Sequence, residues 1–419
     1  MSDKDQSHAQ TIVYKDVWIM GGARTPFADF NGTLRDVSAT DLGIKAAREA
    51  LHETKFEPEN IDAVVAASVA QTSFDAFFLA RHIGLYAGVP IGVPALVVQR
   101  LCTSGFEAIL QAADQLTLGK SDAVLCVGTE SMSRNPIAAY THRGGFRMGQ
   151  VEFKDFLWEA KLDTAPKSRM GDTAEELAKR YQITREDTDA FAATSFDRAV
   201  KAREAGFFKG EVIAVTPEQF ERQGYQTREI RLPRGVKSLA ADEHPRPTPL
   251  ETLKALKPAF KGVQTGGNSS AIVDGAAAVV VTNAKCFTGN NSTKPLARIV
   301  AGATVGVPPE IMGIGPAPAI RAVLAKAGLK LQDIARFEIN EAFGAQYIAV
   351  ERELGLDRAK VNVNGGAIAI GHPLGATGIR CTLTVARELQ RCGGRYGIAT
   401  ACAGGGQGVA ILVENTDAV

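Results

Sequence analysis

Long hydrophobic runs are missing from this sequence. No stretch of the 419 residues approaches the roughly 20 apolar residues that a membrane crossing needs, so we expect no membrane span. Excess charge is missing as well, because 47 Lys and Arg residues are balanced by 46 Asp and Glu residues, for a net charge of +1. This balance disfavours a dedicated binder of nucleic acid or of membrane surfaces.

Cysteine pairs of the CxxC type are also missing. The six cysteines are dispersed, which disfavours a metal site, and the chain is far longer than the small secreted domains that depend on disulfides. The first residues, MSDKDQSHAQTIVYKD, contain no hydrophobic segment and are too acidic for a typical transit peptide, and the final TDAV matches no targeting tail. We therefore expect a cytoplasmic protein without a metal ion.

The sequence does contain an ordinary globular composition with an excess of glycine. Hydrophobic residues make up 45% and charged residues 22% of the chain, as in soluble globular proteins. A length of 419 residues exceeds one usual hydrophobic core, so two or three domains, or a duplicated one, are expected. Of the 42 glycines, 12 lie between Gly365 and Gly408, which singles out that region.

Strand-like apolar runs alternate with helix-patterned segments in the first part of the chain. This alternation is typical of an α/β fold with mostly parallel strands. The predicted strands are 13–19, 61–69, 95–98 and 122–127, and the predicted helices are 41–51, 76–86 and 106–116.

The pattern is interrupted in the middle and then repeats. Residues 133–262 are richer in charge and end in the Pro-rich HPRPTP, so we predict an insertion there. A strand at 276–281 resumes the α/β pattern, and residues 318–413 show helix, strand, helix, glycine-rich turn, helix and two strands. This order parallels that of residues 41–127 and predicts an internal duplication. The expected domains are an N-terminal half, 1–132 completed by 263–293, an inserted domain, 133–262, and a C-terminal half, 294–419.

Cys102 lies in RLCTSGFEA (100–108), between a short strand and a helix with regular apolar spacing. Ser104 and Glu107 have the spacing of a capping box, which predicts that the helix starts here. The positive end of a helix dipole favours a thiolate, and other folds expose a nucleophile between a strand and a helix. A buried structural cysteine before a packed Gly105 is the alternative.

His372 lies in the middle of NGGAIAIGHPLGATG (364–378), which contains five glycines in 15 residues. A lone histidine is more often structural, but one held in a rigid glycine-rich loop before Pro373 suits a general base. The spacing GxGxxG after a strand is absent here, so dinucleotide binding is disfavoured.

Two further segments could carry chemistry. Cys402 begins CAGGGQG (402–408) directly after an apolar strand, where a triple glycine could present the N–H groups of an oxyanion hole or simply form a bend between two strands. Asn340 begins NEAFG (340–344), where it could cap a helix or hold a water or a substrate oxygen.

Taken in order, these segments resemble the thiolase family, that is, acetyl-CoA acetyltransferases and 3-ketoacyl-CoA thiolases. The resemblance runs from about residue 13 to residue 413 and rests on the joint order and spacing of ARTPF, LCTSGFEA, ESMS, MGDTAEE, TGGNSSAIVDGAA, GIGPAPAI, NEAF, GGAIAIGHPLGATG and CAGGGQG. It implies a thiolase-like duplicated α/β/α/β/α layered fold with an inserted loop domain that binds CoA.

The same resemblance implies an acyltransferase that carries out reversible thiolysis or Claisen condensation of CoA thioesters. Acyl-CoA and CoA are then substrates and products, and no other cofactor is expected. A homodimer or homotetramer is implied by family analogy, and a complex with other β-oxidation enzymes is compatible with it.

The resemblance also implies catalytic roles. Cys102 matches the nucleophile that is acylated, His372 the base that takes its proton, and Cys402 the acid/base that exchanges a proton with the methyl group of acetyl-CoA. His372 and a water held by Asn340 match the oxyanion hole for the enolate. The backbone N–H groups of Cys102 and Gly404 match a second hole for the tetrahedral intermediate.

Six more residues match contacts of the family with its substrates. Arg246 in DEHPR matches a contact to the nucleotide end of CoA, and Ser270 in NSS matches a residue near the pantetheine. The residues that match the lining of the acyl and pantetheine channel are Met170, Phe260, Ala342 and Phe343. Arg169 departs from the family pattern, because several short-chain members carry histidine there, and this leaves the acyl-chain preference open.

Four alternatives fit the sequence less well. A ketoacyl synthase would share the fold and the cysteine but typically uses two histidines, and a lipid-transfer-type relative would carry a histidine motif in place of NEAF. A papain-like hydrolase has its histidine before its asparagine, and an inactive scaffold would be expected to lose one of the four catalytic residues. Since Cys102, His372, Cys402 and Asn340 are all present, an active thiolase is predicted.

Overall fold

The computed structural model describes residues 8–139, 143–287 and 294–418 of the chain. The start of the predicted N-terminal half (1–7), the end of its completing segment (288–293) and the last residue lie outside the described residues. The α-helices in the described part are α1 (Ala39–Thr54), α2 (Leu79–Tyr86), α3 (Ser104–Thr117), α4 (Phe156–Glu159), α5 (Met170–Arg180), α6 (Arg185–Glu204), α7 (Leu250–Lys254), α8 (Pro316–Ala327), α9 (Gly344–Leu354), α10 (Ala367–Ile370) and α11 (Leu374–Cys392).

The strands and short 3₁₀ turns complete the described chain. The strands are β1 (Gln10–Val13), β2 (Trp18–Arg24), β3 (Ala28–Asp29), β4 (Ala63–Ala67), β5 (Ala95–Val98), β6 (Ala123–Glu130), β7 (Ile137–Ala138), β8 (Lys154–Asp155), β9 (Leu162–Asp163), β10 (Ser168–Arg169), β11 (Glu218–Phe220), β12 (Arg228–Ile230), β13 (Val273–Thr282), β14 (Ala297–Gly306), β15 (Ile334–Ile339), β16 (Tyr396–Ala403) and β17 (Gln407–Glu414). The 3₁₀ turns are Pro58–Asn60, Ala76–Phe78, Met132–Arg134, Ala284–Cys286, Pro309–Ile314, Leu331–Asp333 and Arg358–Lys360.

The predicted alternation of strands and helices is confirmed, with one difference near the N-terminus. The predicted strand 13–19 is instead two strands, β1 and β2, separated by a turn. At this turn the carboxylate of Asp16 accepts the indole N–H of Trp18 at 2.7 Å and the backbone N–H of Ala284 at 2.9 Å. Both strands pair antiparallel with β14 and run in the same direction, so these hydrogen bonds stabilise a local interruption of the strand.

The main sheet is mixed, so the prediction of mostly parallel strands is wrong. Its strand order is β15-β16-β17-β14-β2-β13-β6-β4-β5, with β1 paired to β14 and β3 to β13. Among the described strands of this sheet, only β5–β4–β6 and β15–β16 are parallel neighbours. Parallel pairing requires a crossover such as a helix, whereas β17 follows β16 through a tight turn and is therefore antiparallel to it.

The predicted internal duplication is confirmed by the order of the elements. The first half runs β2, α1, β4, α2, β5, α3, β6 and β13, and the second runs β14, α8, β15, α9, α11, β16 and β17. In place of β5, the second half has a parallel bridge between Phe337 and Val361. Helices α3 and α11 therefore occupy equivalent positions in the two halves.

The helices form three layers around the two halves of the sheet. Helix α1 packs on β2, β6 and β13, and α2 on β4 and β5. Helix α8 packs on β14, β16 and β17 at the opposite side. Helices α3 and α11 lie between the halves, because α11 contacts β6 and β13 as well as β15 and β16. This is the α/β/α/β/α arrangement expected from the sequence.

Glycines allow the two central helices to approach each other closely at their N-terminal ends. A Cβ atom on Gly105 would lie 2.6 Å from the carbonyl oxygen of Gly375 and 2.9 Å from the backbone nitrogen of Gly378. A Cβ atom on Gly378 would lie 2.5 Å from the carbonyl carbon of Gly105. Because Cys102 precedes α3 and His372 precedes α11, this crossing brings their two segments to the same region of the molecule.

The middle stretch 133–262 shares the core of the rest of the chain. Leu177 of α5 and Phe191 and Phe196 of α6 belong to the same buried apolar cluster as Tyr347 of α9. Phe191 stacks on Tyr347, with ring centroids 4.0 Å apart. This packing positions α5, which begins next to the candidate site.

Candidate active site

Cys102 lies in a tight turn between β5 and α3. Leu101, immediately before it, has a φ of 48°, a left-handed conformation that side chains other than glycine rarely adopt. The hydroxyl of Ser104 donates to the carbonyl oxygen of Leu101 at 2.7 Å and accepts the N–H of Arg100 at 2.8 Å. These two bonds stabilise the strained turn that places Cys102 at the N-terminal end of α3.

The predicted start of α3 is confirmed, but the predicted capping box is wrong. The N-cap residue is Thr103, and its side chain makes no capping hydrogen bond. The carboxylate of Glu107 instead pairs with Arg100 at 2.9 Å, and Arg100 also donates to the side chain of Gln407 at 2.8 Å. Arg100 thus links the turn before α3 to the beginning of β17.

The resting state of Cys102 is an uncharged thiol. Burial raises the pKa of Cys102 to about 11, while the backbone N–H groups of Gly404 and of Cys102 itself lower it, and the charge of Glu130 raises it further. The expectation that the helix dipole would favour a thiolate is therefore wrong, because desolvation of the sulfur outweighs the favourable dipoles. A nucleophile in this state needs a base to remove its proton.

His372 is a buried, neutral imidazole whose proton position follows from its partners. Its Nδ1 lies 2.6 Å from Oγ1 of Thr377, and this hydroxyl donates its own proton to the carbonyl oxygen of Pro373 at 3.0 Å. Thr377 must therefore accept from Nδ1–H, which leaves the lone pair of the imidazole on Nε2. Burial lowers the pKa of His372 to about 3, and the positive charge of Arg380 contributes. The imidazole is thus in the protonation state of a general base.

Asn340 directly follows β15 and lies beside this base. Its amide nitrogen is 3.5 Å from Nε2 of His372, and its backbone N–H donates to the carbonyl oxygen of Thr400 at 2.9 Å. It does not cap α9, whose N-cap residue is Phe343. Its buried Oδ1 has no hydrogen-bond partner among the described residues, so it can accept from a ligand or a water.

Cys402 and Gly404 lie next to Cys102. Cys402 is completely buried near the end of β16, and burial raises the pKa of its thiol above the usual range, with a further contribution from Cys102. Gly405 and Gly406 have φ values of 74° and 82°, which a tight turn from β16 into β17 requires. The triple glycine is therefore a bend between two strands, and the N–H of Gly404 is directed at the sulfur of Cys102.

Glu130 is a buried carboxylate beside the site that was not among the residues predicted from the sequence. Its partners are the backbone N–H groups of Val69 (3.0 Å), Ala70 (3.1 Å) and Gly375 (3.0 Å) and the hydroxyl of Ser68 (3.3 Å). Burial raises the pKa of Glu130 to about 7, although these donors lower it. Because Gly375 is in the first turn of α11, Glu130 ties the segment that carries His372 to the N-terminal half. Its place in the ESMS block was the only signal in the sequence.

Glu341 holds the NEAF segment in a similar way. Its carboxylate accepts the hydroxyl of Ser195 at 2.7 Å, the amide of Asn362 at 2.8 Å and the backbone N–H of Ile368 at 3.1 Å. These partners come from α6, from the bridge region after α9 and from α10. The neighbouring Asn340 is therefore fixed by three separate parts of the chain.

Of the four residues predicted to line the acyl and pantetheine channel, Met170, Ala342 and Phe343 pack in one cluster with Cys402, and Phe260 packs on Phe343. The apolar side chains grouped with Cys402 are Met312, Ala342, Met170 and Phe343. The sulfur of Met170 lies 3.3 Å from the position that a Cβ atom on Gly404 would occupy. Phe260 packs edge-on against Phe343, with ring centroids 6.3 Å apart. These side chains form an apolar wall beside the two cysteines.

The two predicted polar contacts for CoA lie in different surroundings. Ser270 is partly buried, and its backbone N–H donates to the carbonyl oxygen of Ala342 at 3.0 Å, so it borders the apolar wall. Arg246 is exposed and donates to the carbonyl oxygen of His244 at 3.1 Å, while its guanidinium lies 5.9 Å from the ring centroid of Phe196. Its contacts are thus with its own loop and with α6.

One group of side chains in the described ranges has the spacing of metal ligands, namely Glu49, His52 and Glu53 on α1. All three are exposed or only partly buried, and exposed acidic groups commonly occur without a metal. Neither Cys102 nor His372 belongs to this group. The candidate site therefore consists of thiols, an imidazole, an amide and backbone donors.

The crossing of the two equivalent central helices thus collects a thiol at the start of a helix, a neutral histidine with its lone pair on Nε2, a second buried thiol and backbone donors. These are the groups needed for acyl transfer through cysteine. Comparison with known proteins agrees with this chemistry. The family description "Thiolase, N-terminal domain" matches residues 17–285, and "Thiolase, C-terminal domain" matches residues 293–415. The chain belongs to the thiolase family.

Individual relatives match over nearly the whole length. The mitochondrial 3-ketoacyl-CoA thiolase of Bos taurus is 44% identical over 406 residues, covering 96% of this chain and 99% of the bovine one. The acetyl-CoA acetyltransferase of Pseudomonas aeruginosa is 41% identical, with 95% and 99% covered. The crystal structure of human mitochondrial 3-ketoacyl-CoA thiolase in complex with CoA superimposes with a TM-score of 0.90 at 42% identity, covering 96% of this chain and 98% of the human one.

The prediction of a cytoplasmic location is wrong. The bovine and human relatives, which match almost end to end, are both named as mitochondrial enzymes. The absence of a recognisable transit pattern at the N-terminus did not justify the cytoplasmic assignment. None of the described helices combines the length and the hydrophobicity that a membrane crossing needs.

Proposed function

We propose that this enzyme catalyses the reversible reaction of a 3-ketoacyl-CoA with CoA to give an acyl-CoA and acetyl-CoA, through an acyl group carried on Cys102. The observation that carries this proposal is the presence of an uncharged Cys102 thiol and of a neutral His372, with its lone pair on Nε2, in the two segments that meet at the crossing of α3 and α11. The names of the relatives, 3-ketoacyl-CoA thiolase and acetyl-CoA acetyltransferase, support the substrate class.

The first half-reaction forms the acyl-enzyme. His372 Nε2 takes the proton of the Cys102 thiol as the sulfur attacks the thioester carbonyl, and the new oxyanion accepts the backbone N–H groups of Cys102 and Gly404. Collapse of this intermediate releases the thiolate of the leaving group, which takes its proton from His372. The direction of the Gly404 N–H toward Cys102 supports this oxyanion hole.

The second half-reaction makes or breaks the carbon–carbon bond. In condensation, Cys402 first gives its thiol proton to Nε2 of His372, and the resulting thiolate removes a proton from the methyl group of acetyl-CoA. The carbanion attacks the carbonyl of the acyl group on Cys102, and the intermediate collapses by cleavage of the bond between this carbonyl carbon and the sulfur of Cys102. The released Cys102 thiolate takes its proton back from Nε2 of His372. The developing enolate oxygen is stabilised by His372 and by a water that Asn340 holds through its otherwise unpaired Oδ1. In thiolysis the same steps run in reverse, and Cys402 returns the proton.

We further propose that residues 133–262 form a loop domain that binds CoA. Arg246 contacts the nucleotide end, Ser270 the pantetheine, and the apolar wall of Met170, Phe260 and Phe343 borders the acyl group. The exposed guanidinium of Arg246 and the position of Ser270 next to Ala342 support these assignments. The crystal structure of the human relative with CoA supports the ligand.

A homodimer or homotetramer is proposed on the basis of the sheet edge. Strand β5 ends the main sheet and exposes Leu96 by 46% and Val97 by 38%, and Ile91 and Phe77 nearby are exposed by 63% and 71%. An open strand edge with apolar neighbours is a site for pairing with another chain. Sedimentation velocity should show an oligomer that Leu96→Lys weakens, and a monomeric wild type at micromolar concentration would contradict the proposal.

The relatives named as mitochondrial support a mitochondrial location.

The central experiment measures thiolysis. Purified enzyme is given CoA with acetoacetyl-CoA or with longer 3-ketoacyl-CoA substrates, and loss of the substrate and formation of acetyl-CoA are followed. The proposal requires turnover that depends on Cys102. Cys392→Ala is the matched control, because Cys392 is an exposed cysteine outside the site. Full activity of Cys102→Ala, or equal losses in both variants, would refute the proposed nucleophile.

A further inference from the structure

Lys161 is a charged residue next to the apolar wall that neither the proposed chemistry nor CoA binding uses. It lies at the start of the hairpin formed by β9 and β10, just before Leu162. Its carbonyl oxygen accepts the backbone N–H of Met170 at 2.9 Å. Met170 in turn is one of the side chains packed against Cys402. Lys161 is thus connected to the candidate active site through its backbone hydrogen bond with Met170.

The register of the hairpin determines the face on which Lys161 lies. Asp163 pairs with Ser168 and Leu162 with Arg169, and the bond from Met170 to Lys161 continues the same antiparallel ladder. Residues directly opposite each other in an antiparallel pair lie on the same face. Lys161 and Met170 therefore share the face that meets the apolar wall, whereas Arg169 lies on the opposite face, where its guanidinium stacks 4.3 Å from the ring centroid of Trp158.

The ammonium group of Lys161 is partly buried and has no hydrogen bond or ion pair with any of the described residues. Burial lowers the pKa of Lys161, and Asp155 opposes this only through its charge. The carboxylate of Asp155 is used to cap α4, where it accepts the N–H of Trp158 at 3.1 Å. Asp163 is turned toward the hairpin loop, where it accepts the N–H of Ala165 at 3.0 Å, and its Oδ2 is unpaired. The ammonium is therefore a partly buried positive charge without a counterion among the described residues, and an anion placed beside it would stabilise it.

We propose that Lys161 binds a carboxylate at the far end of the acyl chain, so that the enzyme favours 3-ketoacyl-CoA substrates with a terminal carboxylate. This inference rests on the proposed function. A hydrocarbon tail would leave the ammonium on the Met170 face without a partner, whereas a terminal carboxylate would neutralise it. The phosphates of CoA are joined to the thioester through the whole pantetheine arm, and their proposed contact at the nucleotide end is Arg246.

The test compares two substrates that differ in the end of the chain. Thiolysis of 3-ketoadipyl-CoA and of 3-ketohexanoyl-CoA is measured for the wild type, for Lys161→Met and Lys161→Arg, and for Lys167→Met. Lys167 is an exposed lysine in the loop of the same hairpin, so its variant removes one positive charge without touching the Met170 face. The readout is the ratio of kcat/KM for the two substrates.

We expect the wild type to prefer 3-ketoadipyl-CoA and Lys161→Met to lower the ratio about tenfold or more, as the loss of a charged hydrogen bond does. Lys161→Arg and Lys167→Met should keep the ratio. An unchanged ratio in Lys161→Met, an equal fall in Lys167→Met, or a higher KM for CoA with both substrates would overturn the inference. Turnover of 3-ketohexanoyl-CoA by Lys161→Met shows that this variant is folded. A wild type that cleaves neither substrate would refute the proposed function itself.

Discussion

The hydrogen bond between His372 and Thr377 offers a sharp test of the base. Thr377→Val replaces the hydroxyl with a methyl group of similar shape, so that Nδ1–H of His372, which now donates to Oγ1 at 2.6 Å, has no acceptor. Leaving one buried donor unpaired costs about 1–3 kcal/mol. The same hydroxyl fixes the tautomer, so this cost falls on the step in which Nε2 takes a proton.

A loss of about 1–3 kcal/mol in that transition state corresponds to acylation slowed about 5- to 150-fold. The assay mixes the enzyme with acetyl-CoA, quenches the reaction in acid and measures the acetylated fraction of the chain by mass spectrometry. Thr377→Ser, which keeps the hydroxyl, is the control and should acylate nearly as fast as the wild type. Acylation of Thr377→Val at the wild-type rate, or an equal loss in Thr377→Ser, would refute the assignment of the His372 tautomer.

Three further predictions concern the other charged and nucleophilic groups. Cys102→Ala should abolish acylation of the enzyme by acetyl-CoA. Cys402→Ala should still be acylated at Cys102 but should form no acetoacetyl-CoA, because this variant lacks only the proton transfer at carbon. Equal acylation defects in the two variants would contradict these roles. Glu130→Gln puts an NH₂ group against backbone donors, so we expect a loss of about 1–3 kcal/mol in the free energy of unfolding and a lower kcat. Urea denaturation measures the first and steady-state assays the second. An unchanged kcat would show that Glu130 does not position the segment that carries His372. Because the pKa of His372 is about 3 when folded and ordinarily 6.5, the unfolded chain binds a proton between these values that the folded chain does not. The free energy of unfolding should therefore fall by about 1.4 kcal/mol per pH unit from this group as the pH decreases below 6.5, and His372→Asn should lose that component in a comparison of unfolding at pH 7 and pH 5.

Much of the site could be read from local sequence. Cys102, His372, Cys402 and Asn340 were identified because each lies where a strand ends or a helix begins, in a segment rich in glycine or in capping residues. These features depend on neighbours within about ten residues, which a single sequence displays. Three of the apolar residues that pack with Cys402, namely Met170, Ala342 and Phe343, were expected from the resemblance to the thiolase family.

Glu130 could not be found in this way. Its donors lie at positions 68–70 and at Gly375, so its role depends on contacts across much of the chain. The same is true of Lys161, whose face is set by its pairing with Met170 and whose lack of a partner is a property of the packed hairpin. Neither residue stands out by its type or by its spacing.

The sequence by itself determined the alternation of strands and helices, the duplication, the family and the groups that are proposed to do the chemistry, because these depend on local periodicity and on the order of motifs. The tertiary structure decided which strands run parallel and which antiparallel, since strand direction follows from connections and not from composition. It also decided the protonation states. The dipole at the start of α3 predicted a thiolate, but burial in the folded site leaves Cys102 as a thiol and His372 as a neutral base. Desolvation depends on atoms that only folding brings together, and for this reason the charge state of the site belongs to the structure.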